Sequence, residues 1–442
     1  MKVSFYTLGC KVNQYETNAI IQKFEASGFQ IVPWGEFADI FVINTCTVTN
    51  MADRKSRQIL RRPKKINPDA IIVGMGCFIQ SDKDCRANDL NLDIAVGTDD
   101  KEDIVEILNS YLKSKERSFK FTISNIMDKC EFTELGVTEY TDTNRAFIKI
   151  QDGCEQYCTY CIIPYVRGRI RSRKKENIIN EVKALVEKDI KEIVLTGIHV
   201  ASFGKDNDND YSLIDLIEDL NKIEGLQRIR LSSIEPTYFT DDILKRMKNI
   251  YKLCNHFHLS LQSASNSVLK RMNRKYTVEQ YMDIVKKIRE SFEDVTLTTD
   301  IIVGFPGETQ DEFNETVENL KKLNFYSIHV FKYSRRQGTI ADKMENQIID
   351  KIKTERSNII LKLSDNSTEE YMKKNIGKEV EVLFEEIKDG YLIGHTTNYI
   401  MVNVGVDTIK NNEEDPTKYI NTIGRAKLNK YKSLNIYGDI AY

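Results

Sequence analysis

The sequence predicts an α/β protein in three parts: an N-terminal open parallel α/β sheet, a central partial (β/α)6 barrel and a small C-terminal antiparallel β-barrel. Three observations lead there. Short apolar runs alternate with amphipathic helical stretches over residues 1–112. The alternation restarts at 146 and gives six β/α units in about 190 residues, where a full eight-unit barrel takes about 250. Beyond residue 373 a period-2 pattern with Gly and Asn punctuation replaces helical spacing.

In the first part, VSFYTLG, DIFVINTC, AIIVGMGC and LDIAVGT read as strands, each bounded by glycine or turn residues. NQYETNAIIQKFEASG and ADRKSRQIL between them, and KEDIVEILNSYL after them, carry helical apolar spacing. Residues 113–143 are charge-rich without a repeat and read as a loosely packed linker. The central part, 144–372, has the strands AFIKI, EIVLTG, RIRLSSIE, HFHLSLQ, VTLTTDIIVG and SIHVFKYS, with helices such as SLIDLIEDLNKI and YTVEQYMDIVKKIRE between them. A polar helix over roughly 350–375 leads into the last part, 373–442.

A chain of 442 residues has room for two or three domains. Hydrophobic residues at 41% and charged residues at 29% are ordinary globular usage. The net charge of -2 leaves nucleic-acid binding to local patches. No apolar run approaches the roughly 18 residues of a membrane span, and MKVSFYTLGC reads as a first strand rather than a signal peptide. The nine cysteines are odd in number and scattered, which points to a reducing cytoplasm and to metal-binding or catalytic thiols rather than disulfides.

The stretch DGCEQYCTYCIIP sets Cys154, Cys158 and Cys161 directly after the strand AFIKI, at the barrel face that carries chemistry. Their C-x3-C-x2-C spacing lets three thiolates converge, and Gly153 lets the backbone turn. A closed zinc site requires a fourth ligand, and none follows at finger spacing. Three thiolates on a [4Fe–4S] cluster instead leave one iron open. Cys10, Cys46 and Cys77 end the strands YTLGC, VINTC and VGMGC, and the carboxyl ends of parallel strands line one crevice, so a second three-of-four site is expected there. Cys85, Cys130 and Cys254 fit neither group and read as structural or incidental, as do the five histidines, which show no metal spacing.

The triad, with Tyr160 before its last cysteine, resembles the signature of the radical S-adenosylmethionine (SAM) superfamily. That resemblance implies a cluster whose open iron is chelated by SAM. It also implies SAM contacts at Thr196 and Gly197 in LTGIH, at Glu235 in SSIEP, at Ser260 and Gln262 in HLSLQS, and at Gly304 in IIVGFPGE. Across its whole length the chain resembles the methylthiotransferases, which join a three-cysteine N-terminal domain, a radical SAM barrel and a C-terminal TRAM module. TLGCKVNQYE, INTCTVTN, KIQDGCEQYCTYCIIPYVRGR, RIRLSSIEP, RMNRKY and DIIVGFPGET are most similar to the MtaB-type branch, which acts on N6-threonylcarbamoyladenosine 37 of tRNA. The resemblance implies two [4Fe–4S] clusters, SAM, a tRNA anticodon stem-loop, an electron donor of flavodoxin or ferredoxin type and a sulfur source, in a monomer with no membrane partner. GCFIQ departs from the commoner GCYAQ, and Pro63 interrupts a basic helix.

Two basic runs border the expected crevices: RKSRQILRRPKK (54–65) with seven positive charges, and RGRIRSRKK (167–175) with six. Arg271, Arg274, Lys275, Arg335 and Arg336 are expected on the same face, where they would steer an anionic backbone. From 373 to 442 ten Lys/Arg balance ten Asp/Glu, leaving Lys427, Lys430 and Lys432 as a local stripe. The alternatives left open are the same reaction on isopentenyladenosine tRNA or a ribosomal-protein aspartate, a non-catalytic iron–sulfur RNA binder or redox sensor, and a zinc-stabilised RNA-binding protein.

Overall fold

Six short parallel strands form the first sheet, in the order β2-β1-β3-β4-β5-β6. They are β1 (Lys2–Thr7), β2 (Gln30–Val32), β3 (Ile40–Thr45), β4 (Ile71–Gly76), β5 (Ile94–Val96) and β6 (Lys120–Thr122). The computed structural model describes residues 1–81, 90–114, 118–137, 145–206, 210–410 and 415–441; Cys85 lies outside them. The central strands IFVINT and IIVGMG are buried along their whole length, because helices cover both faces of the sheet. One face packs Phe41, Ile43 and Ile72; the other packs Val42 and Val73 against Ile20 and Phe24 of helix α1 (Lys11–Ala26).

The described part of the stretch expected to be a loose linker, 118–137, is packed. Its Lys120–Thr122 is the sheet's outermost strand, paired in parallel with β5. Val137 is fully buried against Tyr15 and Ala19 of α1, and Glu134 pairs with Arg173. A three-residue edge strand buries little, so the sequence carries no apolar signature for it.

In the central part β7 (Arg145–Asp152), β9 (Glu192–Gly197) and β10 (Arg228–Leu231) run parallel, with the two-residue β8 (Arg171–Ser172) antiparallel on the outer edge of β7. β11 (His256–His258), β12 (Thr296–Val303) and β13 (Ser327–Lys332) continue the wall, joined to β10 by single bridges at Ile229–Leu253 and Ile234–Leu259. Ala146, Ile148, Ile193, Leu195, Ile229 and Ile301 point outward into one core shared with the surrounding helices. The alternate residues, among them Arg230, His258 and Asp300, face the lumen.

The last part is a closed barrel in the order β14-β15-β16-β18-β17: β14 (Glu379–Lys388), β15 (Tyr391–Thr396), β16 (Met401–Gly405), β17 (Thr422–Lys432) and β18 (Asn435–Ala441). It is not wholly antiparallel, since closure sets β18 parallel to β16. The β15–β16 turn plugs the amino-terminal mouth of the central barrel. Arg228 donates to the His395 carbonyl (2.8 Å), Thr296 to the Asn398 carbonyl (2.5 Å) and Arg230 to the Thr397 carbonyl (3.0 Å). The Tyr399 ring stacks between His256 and His395 at 5.0 and 4.9 Å, with the Arg230 guanidinium at 4.6 Å.

Arg230 also forms a two-pronged pair with Glu192 (2.7 and 3.1 Å), and both are buried. Arg230→Met therefore leaves a buried carboxylate short of its partner and should cost about 3–5 kcal/mol. Urea unfolding checks this; an unchanged midpoint would show that the pair does not hold the two barrels together.

Candidate active site

Cys10, Cys46 and Cys77 follow β1, β3 and β4, three strands adjacent in the sheet. Polar side chains fix the spacing of those strand ends. Asn13 donates to the carbonyls of Leu8 (2.6 Å) and Thr45 (3.1 Å), and Thr45 donates to the Met75 carbonyl (2.6 Å). Gly9 and Gly76, each just before a cysteine, have φ of +102° and +96°; a Cβ on Gly9 would lie 3.0 Å from that of Cys46. Cys77 opens a short helix (Cys77–Ser81), and Cys10 immediately precedes α1, as expected of residues at the end of a parallel sheet.

The second trio lies on the loop after β7. Gly153 has φ of +72°, and a Cβ there would stand 1.7 Å from the Arg169 carbonyl oxygen, so no other residue can start this loop. The Cys154 amide donates to the Gly168 carbonyl (3.0 Å) and the Cys161 amide to the Cys158 carbonyl (2.9 Å), which folds the three thiols inward. Burial first, and the neighbouring cysteines with it, raise the thiol pKa to about 11 for Cys46 and Cys154 and to about 12 for Cys161. Thiols crowded this way ionise when a metal takes the proton's place.

The donor sets fit an iron–sulfur cluster better than zinc. Tetrahedral zinc would draw its sulfurs to about 3.8 Å from one another, yet in neither trio do all three sulfurs fall within 4.8 Å. Each trio also receives one arginine. Arg167 Nε donates to Cys77 Sγ and Arg274 donates to Cys158 Sγ, both at 3.2 Å. Cationic N–H donors on sulfur suit an anionic cluster.

Arg167 links the two sites. It ends the helix Ile163–Arg167 that follows Cys161, is fully buried, and donates to Asn13 (2.6 Å), Glu16 (2.5 Å) and Asp152 (3.1 Å) as well as to Cys77. Burial would raise the Glu16 carboxyl, but Arg167, Lys101 and Lys149 hold it well below the usual carboxylate range. Cys77 packs against Ile162 and Val166 of the same segment.

Arg274 gathers most of the other expected residues. It pairs with Glu235 (2.6 Å) and donates to the Ser260 carbonyl (3.1 Å), so Glu235, Ser260 and Cys158 converge on one guanidinium. Thr196 and Gly197 end β9 opposite Lys149 and Gln151 of β7, the strand that leads into the triad. Tyr160 packs with Phe305, Val268 and Met272. Gln262 holds φ of +70°, sparsely populated for a non-glycine residue, and its side chain has no hydrogen-bond partner among the described residues. Gly304 meets a different demand: its amide donates to Glu308 (2.6 Å), and a Cβ would lie 2.4 Å from Lys353 Cγ.

The histidines correct the spacing argument. His258, Asp300 and His329 come from β11, β12 and β13, and their ligand atoms lie within 4.8 Å of one another on the lumen wall. Burial would raise the Asp300 carboxyl, but His258 and His329 hold it well below its usual range. Each strand supplies one residue, so no linear motif could reveal the cluster.

Residues 148–320 match the Radical SAM superfamily and residues 2–97 match "Uncharacterized protein family UPF0004". The chain is 43% identical to the Bacillus subtilis "Threonylcarbamoyladenosine tRNA methylthiotransferase MtaB", over 90% of this chain and 89% of that protein. It is 36% identical to the "tRNA-2-methylthio-N(6)-dimethylallyladenosine synthase" of Clostridium beijerinckii, over 98% and 94%. The chain belongs to the radical SAM methylthiotransferase family. Its fold is also that of the radical SAM methyltransferase TsrM of Kitasatospora setae, with a TM-score of 0.59 at 14% identity over 77% of this chain and 76% of that one.

In this methylthiotransferase the basic residues divide in a way charge counting cannot see. Arg167, Arg171 and Arg173 are buried, so half the run 167–175 serves internal ion pairs with Glu16, Asp152, Asp99 and Glu181. Arg274 points at the cluster loop, Arg271 pairs with Glu312, and Arg336 ties Asp53 and Thr47 to the central barrel. Among the described residues Lys275 and Arg335 bond only Asn273 and Asp342. The other run keeps its character: Arg54, Lys55, Arg57, Arg62 and Lys65 are exposed on helix α2 (Asn50–Leu60) and just beyond it, where Pro63 starts a separate short helix. The inner face of α2 holds the N-terminal cysteine site, through Ser56 donating to the Cys46 carbonyl (2.9 Å). Exposed Tyr157 and Tyr165 sit beside the triad, ring centroids 6.5 Å apart.

Because Arg167 satisfies four partners at once, Arg167→Met should destabilise the protein by about 3–5 kcal/mol. Arg167→Lys should recover less than half of that, since an ammonium cannot span the same donor fan. Chemical denaturation of the three proteins measures it, and a lysine variant as stable as the parent would exclude a bridging role.

Proposed function

We propose that this chain adds a methylthio group to C2 of N6-threonylcarbamoyladenosine at position 37 of tRNA. The observation that carries the reading is the pair of three-cysteine sites, each one ligand short and joined through Arg167, in a chain 43% identical to the MtaB protein above over 90% of its length. Cys154, Cys158 and Cys161 would hold a [4Fe–4S] cluster that takes SAM at its open iron, and Cys10, Cys46 and Cys77 an auxiliary cluster. C2–H is unactivated and has no acidic proton, and a bound cluster with SAM supplies the one-electron chemistry that such a bond requires.

The protein's own groups prepare that site. Arg274 fixes the triad loop against Glu235 and Ser260. Thr196, Gly197, Tyr160 and Gln262 line the approach to SAM, while Gly304 shapes the loop from behind through Glu308. The C-terminal barrel closes the far mouth, keeping water from a reactive carbon centre. The anticodon stem-loop is placed over the exposed basic face of α2, with Tyr157 and Tyr165 as stacking surfaces for loop bases. The same reading keeps domains at 1–112, 144–372 and a TRAM module at 373–442, with the intervening 113–143 adding β6 to the first sheet. It makes the protein a cytoplasmic monomer served by a flavodoxin- or ferredoxin-type donor and an external sulfur source. Among the described residues no helix is long and apolar enough to cross a membrane.

Nucleoside mass spectrometry of tRNA from a deletion strain tests the substrate. The 2-methylthio form of threonylcarbamoyladenosine should vanish while its precursor accumulates; loss of the isopentenyladenosine product instead would transfer the enzyme to the other branch. Replacing Cys158 or Cys46 by alanine should each halve the iron retained after anaerobic reconstitution, and the double variant should retain almost none. A full iron complement in either single variant would remove that cysteine from the ligand set.

A further inference from the structure

The central lumen is lined with cations, and nearly all of them are already matched. Arg145 pairs with Glu385 (3.0 Å), Arg230 with Glu192 (2.7 Å) and Arg228 with Glu381 (2.8 Å). Lys11 is different. It follows Cys10 at the start of α1 and extends its ammonium over the Phe147 ring of β7 (5.8 Å to the centroid), within electrostatic reach of Arg145, Arg230, Glu192, His256 and Tyr399. No carboxylate among the described residues lies within ion-pair distance of it, and the nearby Glu192 is already engaged by Arg230. The residue remains exposed although these groups lie near it.

A lysine in a partly desolvated lumen, with two arginines nearby and no carboxylate within ion-pair distance among the described residues, is poised for an anion brought by a ligand. We propose that Lys11 receives the carboxylate of the threonyl group on the substrate nucleoside, and so reads the feature that separates this nucleoside from an adenosine with an apolar N6 substituent. The Phe147 ring beneath the ammonium supplies an apolar wall for the threonyl methyl. The position beside Cys10 would draw the N6 substituent toward the N-terminal cysteine site. This inference rests on the proposed substrate and assigns its recognition to one side chain.

The test is anaerobic fluorescence anisotropy with reconstituted full-length protein and three anticodon stem-loop RNAs. Position 37 carries threonylcarbamoyladenosine, its threonyl methyl ester or isopentenyladenosine. The parent protein should bind the acid at least about tenfold more tightly than the ester. Lys11→Met should lose that preference, and Lys11→Arg should keep most of it, at unchanged iron content. The proposal is overturned if the parent protein ignores esterification, a result that needs no variant to fold, or if Lys11→Met discriminates as the parent does. A parent protein that binds and converts the isopentenyl RNA in preference to the acid defeats the substrate assignment instead, and that outcome is separate from the other two.

Discussion

The guanidinium of Arg167 sets the relation between the two cysteine sites. It leaves water completely and touches one sulfur of the N-terminal trio while standing six residues beyond the last cysteine of the other. Burying such a charge is expensive, and Glu16, Asp152 and Asn13 offset the cost only if all three stay in place. An apolar interface of the same area could be as stable, but it could slide. The fixed donor fan of an arginine cannot slide without breaking several charge-assisted bonds at once, so the network exchanges nothing in stability for a defined register between two sheets. Glu16 on α1 and Asp152 at the end of β7 thereby act as structural parts of the cysteine sites without being ligands.

The same constraint explains why the fold was legible and the electrostatics were not. Parallel strands buried on both faces announce themselves as apolar runs ending in glycine or cysteine, and IFVINTC and IIVGMGC are such runs. The long polar helix Asp350–Asn375 has neither glycine nor proline inside it, and it fills the range its sequence foretells. Edge elements escape this reading. β6 is three residues of partly exposed KFT, and the parallel β16–β18 pair depends on barrel closure rather than on any local pattern.

Charge runs are harder to read, because a linear count of arginines does not say which way each one points. In RGRIRSRKK the alternation of an extended segment sends Arg171 and Arg173 inward, and the short helix before it buries Arg167, leaving Arg169, Lys174 and Lys175 outside. In RKSRQILRRPKK a helix whose inner face is Ser56, Ile59 and Leu60 leaves most of its cations in solvent. One run is internal mortar and the other is surface. The histidine cluster and the converging contacts of Arg274 were invisible for a related reason: their members come from separate strands and meet only through the lumen.

This division bears on how one scaffold could serve different nucleosides. The cysteines, their preceding glycines and the Arg167 and Arg274 bonds are committed to holding two sites at a set spacing, and a substitution there disturbs both. The lumen residues beside them carry no such burden. Among the described residues Lys11 makes no ion pair, and it is the first residue of α1. Changing the charge at that position alters what the lumen attracts while leaving the sulfur geometry to Asn13 and Arg167. On the proposed reading, substrate choice and cluster placement fall to neighbouring residues, and the first can vary without the second.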